Sequence, residues 1–423
     1  MQLLFNNQIA LRYDSPGIAL VVGINFILIL LYFIKSSELD CETTNNNKEK
    51  FVLKPFMYAS VLAYGFSMIF SLLFSTKGIS AMIKFFVCDL GVLFLFQKAL
   101  ISDKDIRYFI RCCVIVVLLT VSLGLFESIF EDNPWLDYVY VNSPHNEATH
   151  GRMFYVPPFI GDGVSMRYNM VRAYSFYGIH IAFGTCSLYF FFLLSAVFLN
   201  KWNRIMNMKV LLIFIALSAI GVFLANSKTA MVGMVIIVFA LFKIKELLNF
   251  RILLLFIIVL SGVIIMFPEY LNNYISLVDS DVAEEGGGST MMMRGQQFLV
   301  ATDMWLQSPI FGNGPGSIEI MKKASFSYDD ILGAESVWLR ILPERGLFGA
   351  FVYLFMYLVL YKNFKKYIPR YQLGFYLFAL LVLDTVSSTS NMCVAWGVLV
   401  ALRRMYILYG NSEFNFSPQI IKT

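Results

Sequence analysis

The chain has 423 residues, of which 58% are hydrophobic, 14% charged and 16% aromatic, with a formal net charge of +5. Soluble domains hold about one quarter charged residues, so this composition excludes an ordinary soluble protein. With three histidines and no block of basic residues it also gives no sign of a nucleic-acid partner.

The apolar runs, in chain order, are Gly17–Ile34, Phe56–Ser75, Met82–Ile101, Phe109–Phe126, Tyr177–Leu199, Val210–Ala225, Ala230–Phe242, Ile252–Phe267, Leu347–Tyr361, Leu373–Ser387 and Met392–Leu402. Each reaches or approaches the length that crosses a bilayer, the shorter ones borrowing flanking residues. The fold class expected is therefore an all-α integral membrane protein. It is one polytopic domain over residues 1–423, a bundle of about 11 transmembrane helices with outer loops at about 127–176 and 268–346. Residues 1–16 lack a basic flank, an apolar core and a small-residue cleavage site, so no cleavable signal peptide is expected.

Basic residues recur in alternate connections: Lys35, Lys48, Lys50 and Lys54; Lys104, Arg107 and Arg111; Lys201, Arg204 and Lys209; Lys243, Lys245 and Arg251; Lys362, Lys365, Lys366 and Arg370; then Arg403 and Arg404. The positive-inside rule puts all of these in the cytoplasm and both long loops outside. Asp103-Lys104-Asp105 reads as a cytoplasmic loop. Five of the six cysteines fall in spans, Cys41 falls in a cytoplasmic loop and neither outer loop has one, so no structural disulfide is expected.

In the second outer loop, Asp279–Thr290 reads as an acidic, then glycine-rich linker. A helix is predicted over Met291–Leu306, with Met292, Gln296, Leu299 and Met304 near one face, ending before Pro309. After Ser308-Pro309-Ile310-Phe311-Gly312-Asn313-Gly314-Pro315-Gly316, a second short helix is expected over Ala334–Pro343, leading through Gly346 into the next span.

The candidate chemistry lies in these loops. Guanidinium forks clamp phosphate oxygens in pairs and do not deprotonate, and Arg172 and Arg294 each head a helix at the outer face. The alternative is that outer arginines snorkel or pair with acids such as Glu127, Asp162 and Glu284. Glu335, beside Ser336 and Trp338 and near Arg340, is the sharpest candidate acid. In a partly apolar interfacial pocket it would accept a proton from a sugar hydroxyl, the alternative being a carboxylate complementing a helix N-terminus. The pair Asp279/Asp281 reads as solvated linker, and the spacing of His145, Glu147 and His150 does not fit zinc, so no metal is expected. No phosphate-cradling glycine loop with Lys-Ser/Thr occurs, which argues against an ATPase. Within the spans, Asp89 is left without a role and Asp384, near an outer helix end, is read as wet.

Taken in order, Arg172, Asn226–Ala230 (Asn-Ser-Lys-Thr-Ala), Arg294–Gly316 and the Glu-Ser…Glu-Arg-Gly-Leu-Phe-Gly stretch of Glu335–Gly349 resemble the O-antigen polymerase/ligase superfamily, specifically Wzy-type polysaccharide polymerases, over roughly residues 170–400. The resemblance implies a GT-C-like, metal-independent membrane glycosyltransferase without a cofactor. Its substrates would be undecaprenyl-diphosphate-linked glycans at the outer leaflet of the bacterial inner (plasma) membrane, with a chain-length regulator and a flippase as further partners. It implies catalytic roles for Glu335, Arg294 and Arg172, and substrate binding by Lys228, Arg340, Tyr174 and Trp338. The family's Ser-Arg motif stands here as Ser227-Lys228, and the ligases' essential histidine is replaced by Glu335, with no histidine after His180. That favours a polymerase over ligase-like transfer. A lipid-linked oligosaccharide transporter is the other class kept open, though it would concentrate charge within its spans.

Overall fold

The computed structural model describes residues 51–70, 79, 82–83, 85–135, 166–167, 170–177, 180–242, 275, 279, 291–318, 336–387 and 392–410. The expected spans at 17–34 and 252–267, the 279–290 linker beyond Asp279, and Cys41, His145, Glu147, His150 and Glu335 lie outside them. Ten α-helices are described: α1 (Lys54–Ile69), α2 (Val92–Ala99), α3 (Asp103–Phe130), α4 (His180–Leu199), α5 (Met208–Leu224), α6 (Lys228–Leu241), α7 (Met291–Leu306), α8 (Val337–Phe364), α9 (Arg370–Val386) and α10 (Met392–Tyr409). A π-helical turn, Phe85–Gly91, runs into α2, and two short antiparallel strands, β1 (Met166–Arg167) and β2 (Met170–Val171), precede α4.

Among the described residues four helices, α3, α4, α8 and α10, are long and apolar enough to cross a membrane. The chain is thus a helical membrane protein. Helix α3 starts six residues earlier than its apolar run. Ser102 caps it by accepting from the Asp105 amide at 3.3 Å, while the Asp105 carboxylate accepts from the Ser102 amide at 2.7 Å. This reciprocal box satisfies two amides a helix end otherwise strands. It corrects the reading of Asp103-Lys104-Asp105 as loop, and α3 also continues to Phe130, past the expected start of the first long loop.

Helix α4 is the axis of the bundle, with most of its residues buried. It packs on α3, α5, α6 and α10. Small residues set these approaches: a Cβ on Gly184 would lie 2.9 Å from those of Ala225 and Ala230, and one on Gly233 would lie 2.6 Å from Leu188. Such contacts let apolar helices associate where lipid offers no hydrophobic drive. Helix α6 in turn packs on α9, α9 on α8, and α8 on α1 and α7.

One end of the bundle gathers the ends of connections rich in basic residues. The Arg404 guanidinium donates to the Ile101 carbonyl, Tyr409 to Asp103, Asn363 to the Val52 carbonyl at 3.1 Å and Tyr406 to Gln372 at 2.8 Å. The opposite end collects the last turns of α1, α3, α5 and α9 and the first turns of α4, α6, α8 and α10. We call these the Arg404 end and the Arg172 end.

Candidate functional site

At the Arg172 end, the segment 172–177 is folded by one buried carboxylate. Glu127, in the last turn of α3, has no exposure. Its Oε2 accepts from the amides of Tyr174 (2.9 Å) and Ser175 (2.8 Å) and from Asn133 Nδ2 (2.9 Å). Ser175 takes a left-handed conformation (φ +55°) and its hydroxyl donates to the Thr120 carbonyl at 2.7 Å. The Ala173 amide donates to the Leu224 carbonyl at 3.0 Å, which ties the segment to the end of α5. Glu127 therefore grips backbone, and among the described residues it has no ion-pair partner within salt-bridge distance. Three donors converging on one carboxylate oxygen is a costly arrangement to bury and fixes the path of the chain.

That path brings Arg172 onto His180, the first residue of α4: the guanidinium contacts imidazole Nε2. Guanidinium only donates, so imidazole Nε2 is the acceptor in this contact. The Tyr174 ring meets the imidazole edge-on, with centroids 5.6 Å apart. Burial raises the Tyr174 hydroxyl above its usual range, against the pull of Arg172, so it remains a phenol and a hydrogen-bond donor at neutral pH. His180 was not singled out from the sequence. The signal was its place at the first turn of an apolar run, eight residues after Arg172.

Lys228 opens α6 directly after the tight Asn226-Ser227 turn, where Asn226 is left-handed (φ +43°). One turn into α4 from His180, a Cβ on Gly184 would lie 3.7 Å from that of Ser227. The Lys228 turn thus lies against the start of α4, near Arg172, Tyr174 and His180.

Arg294 comes from α7 and reaches the other side of the same end, its Nη1 3.4 Å from the Val386 carbonyl at the close of α9. Helix α7 has the bounds the sequence predicts, but its inward face carries Gln297, Ala301 and Met304, whereas Gln296 and Leu299 are exposed. The glycine loop after α7 explains the location. It docks into the kink of α8, where Gly346 breaks the helix with φ +62° after Pro343. There the Asn313 amide donates to the Pro343 carbonyl (2.8 Å), the Gly314 amide to that of Glu344 (3.1 Å), and the Leu347 and Phe348 amides to those of Pro309 and Ile310. Gly312 (φ +75°) has no room for a side chain: a Cβ would lie 2.4 Å from the Arg345 amide nitrogen. Backbone groups freed by the kink are thereby paired across the junction.

Trp338 lies in the first turn of α8, its amide donating to the Ser336 hydroxyl at 3.2 Å and its ring edge-on to Tyr353 at 5.2 Å. Ser336 donates to the Asp384 carbonyl at 3.3 Å. The Asp384 side chain is 2% exposed and accepts from the hydroxyls of Tyr353 (2.6 Å) and Tyr357. It is buried, not wet: the two tyrosines on α8 take the place of water. Arg340 is exposed, with its Nε 3.4 Å from the Glu344 carboxylate one turn on.

Two groups result: Arg172, Tyr174, His180 and Lys228 on one side, and Arg294, Ser336 and Trp338 on the other. The packing of α6 on α9 joins them, with Gly233 of α6 against Leu383, one residue before Asp384. Aromatic faces and several cations fixed at one end of a membrane bundle suit a ligand with sugar rings and anionic oxygens.

No curated protein matches the chain. Residues 211–354 match the family model described as O-Antigen ligase, a span that holds Lys228, Arg294, Trp338 and Arg340 and leaves out Arg172 and Asp384. Together with the apolar helices of a membrane protein, that match, over about a third of the chain, supports membership of the O-antigen polymerase/ligase superfamily.

Proposed function

We propose that the protein is a polysaccharide polymerase acting at the outer leaflet of the bacterial inner membrane, without a metal. It moves a growing glycan from one undecaprenyl-diphosphate carrier to the end of a new lipid-linked repeat unit. The observation that supports this reading best is the assembly of Arg172 and Lys228 with Arg294 at one end of the bundle, from three separate parts of the chain. The Arg172 end is the outer one in this reading, because the basic connections gather at the other.

The bond from the sugar anomeric carbon to the diphosphate oxygen breaks, and the acceptor hydroxyl oxygen forms the new glycosidic bond. Arg172 and Arg294 hold the departing diphosphate, supported by Lys228 and Arg340. Glu335, immediately before the capped start of α8, takes the acceptor's proton, and Tyr174 and Trp338 stack on sugar faces. Charge develops on the leaving group, so fixed cations favour the transition state over the substrate.

Ligation is the second reading, because the matching family model carries that description. The two differ in what accumulates when the protein is absent. Cells lacking it should hold single repeat units on the lipid carrier. Long chains retained on that carrier would instead establish a ligase.

A further inference from the structure

A cleft lies between α1, the π-helical turn, α8 and the start of α10, bordering the Arg294 group at Val337, with no residue of the Arg172 group in its lining. Its walls are mostly apolar, including Phe56, Ile341 and Val352, with Ser60, Tyr64 and Tyr353 also among the lining residues. Arg345 lines it and brings the only guanidinium among the described lining residues.

The placing of Arg345 is built into the chain. Gly346 turns α8 immediately after it, and the stem of Arg345 lies along Gly349, where an added Cβ would sit 2.3 Å from the arginine Cβ and 3.5 Å from its Cγ. The guanidinium stacks over the buried Tyr64 ring, 4.6 Å from its centre. The neighbouring carboxylate of Glu344 is turned to Arg340 instead. Arg345 Nε is itself buried and has no hydrogen-bond partner among the described residues. A half-buried cation held by a ring, with a donor left over and an apolar wall beside it, is matched by an oxyanion carried on a hydrocarbon chain.

We infer that this cleft binds the phosphate-type head of an anionic lipid, with Arg345 as its anchor. The proposed polymerase reading enters only in naming that lipid, which would be the second of two lipid-linked substrates. The cleft reaches Val337, beside Trp338, and Tyr353, on which the Trp338 ring rests. The head would therefore lie next to Trp338 at the start of α8.

The test uses the full chain in detergent and a photoreactive diazirine analogue of farnesyl diphosphate, with cross-linked peptides mapped. Labelling of the α1 and α8 segments that line the cleft is expected, and it should fall at least tenfold in Arg345→Gln, partly recover in Arg345→Lys and persist in Arg172→Ala. Unlabelled farnesyl diphosphate should compete, whereas farnesol and inorganic diphosphate should each compete at least tenfold more weakly. Equal labelling in Arg345→Gln would overturn the anchor. Competition by farnesol as strong as by the diphosphate would show an apolar groove only, and equally strong competition by inorganic diphosphate a free-phosphate site. Should the Gln variant fail to fold, the wild-type competition series decides alone. Because the readout is binding, it stands or falls separately from the polymerase reading, which fails on the glycan profile.

Discussion

The two ends of this bundle use the same residue types in opposite ways. At the Arg404 end, charges stay at the surface and meet neighbours. Arg107 pairs with Asp103 one turn away, both about two-fifths exposed, and Arg403 lies over Tyr367 at 4.7 Å. At the Arg172 end, Glu127 is buried on backbone amides, Arg172 rests on His180 and Asp384 is enclosed by two tyrosines. Surface pairs of the first kind are worth little and serve orientation and solubility. Polar groups of the second kind are expensive to bury, and here they are matched by internal hydrogen bonds that fix the segments around them.

The comparison can be broken in four places, taken from the largest effect down. Glu335→Gln keeps the shape of the side chain and removes its basicity. Chain extension should drop on the order of 10²–10⁴-fold with protein level unchanged, read as accumulation of single-repeat lipid intermediates. Near-normal polymer length would leave the arginines to carry the reaction. Next, Arg172→Ala and Arg294→Ala should each reduce extension on the order of 10²-fold or more, and Lys at either position should recover little, since an ammonium lacks the planar fork. Glycan ladders of ordinary length from both Ala variants would remove the Arg172 end from the chemistry.

Glu127→Ala tests the frame. It strands the buried amides of Tyr174 and Ser175, at about 1–3 kcal/mol each, so thermal unfolding in detergent should move down by several degrees and extension should fall with it. Glu127→Gln retains a carbonyl oxygen and should be milder on both measures. At the other end, Arg403→Ala removes one stacking contact of about 0.5–1 kcal/mol. Unfolding should shift slightly, and the glycan ladder should match that of the wild type.

Much of the frame was legible because bilayer length and proline placement are local signals. The helix over Met291–Leu306, its stop before Pro309, and the short helix running through Gly346 into a span all emerge from residue order alone. Other features were not local. Asp103-Lys104-Asp105 resembles a loop until Ser102 is seen to cap it, and Asp384 looks wet until Tyr353 and Tyr357 arrive from another helix. The inward face of α7 is set by the glycine loop that docks it on α8, a contact no helical periodicity encodes. The roles of His180 and Glu127 stayed hidden for the same reason. Each sits at the end of an apolar run, and its role depends on a segment 47 residues along in one case and on the approach of Arg172 in the other.

The central claim is that the Arg172 end extends a glycan between two lipid carriers. Its most direct test is the purified full-length protein in proteoliposomes, supplied only with single repeat units on undecaprenyl diphosphate and a metal chelator. A ladder of multiple repeats, released carrier diphosphate in step with each added unit, and loss of both in Arg172→Ala are the predicted result. No ladder under these conditions, with glycan transferred once a different lipid acceptor is added, would contradict the account and establish ligation.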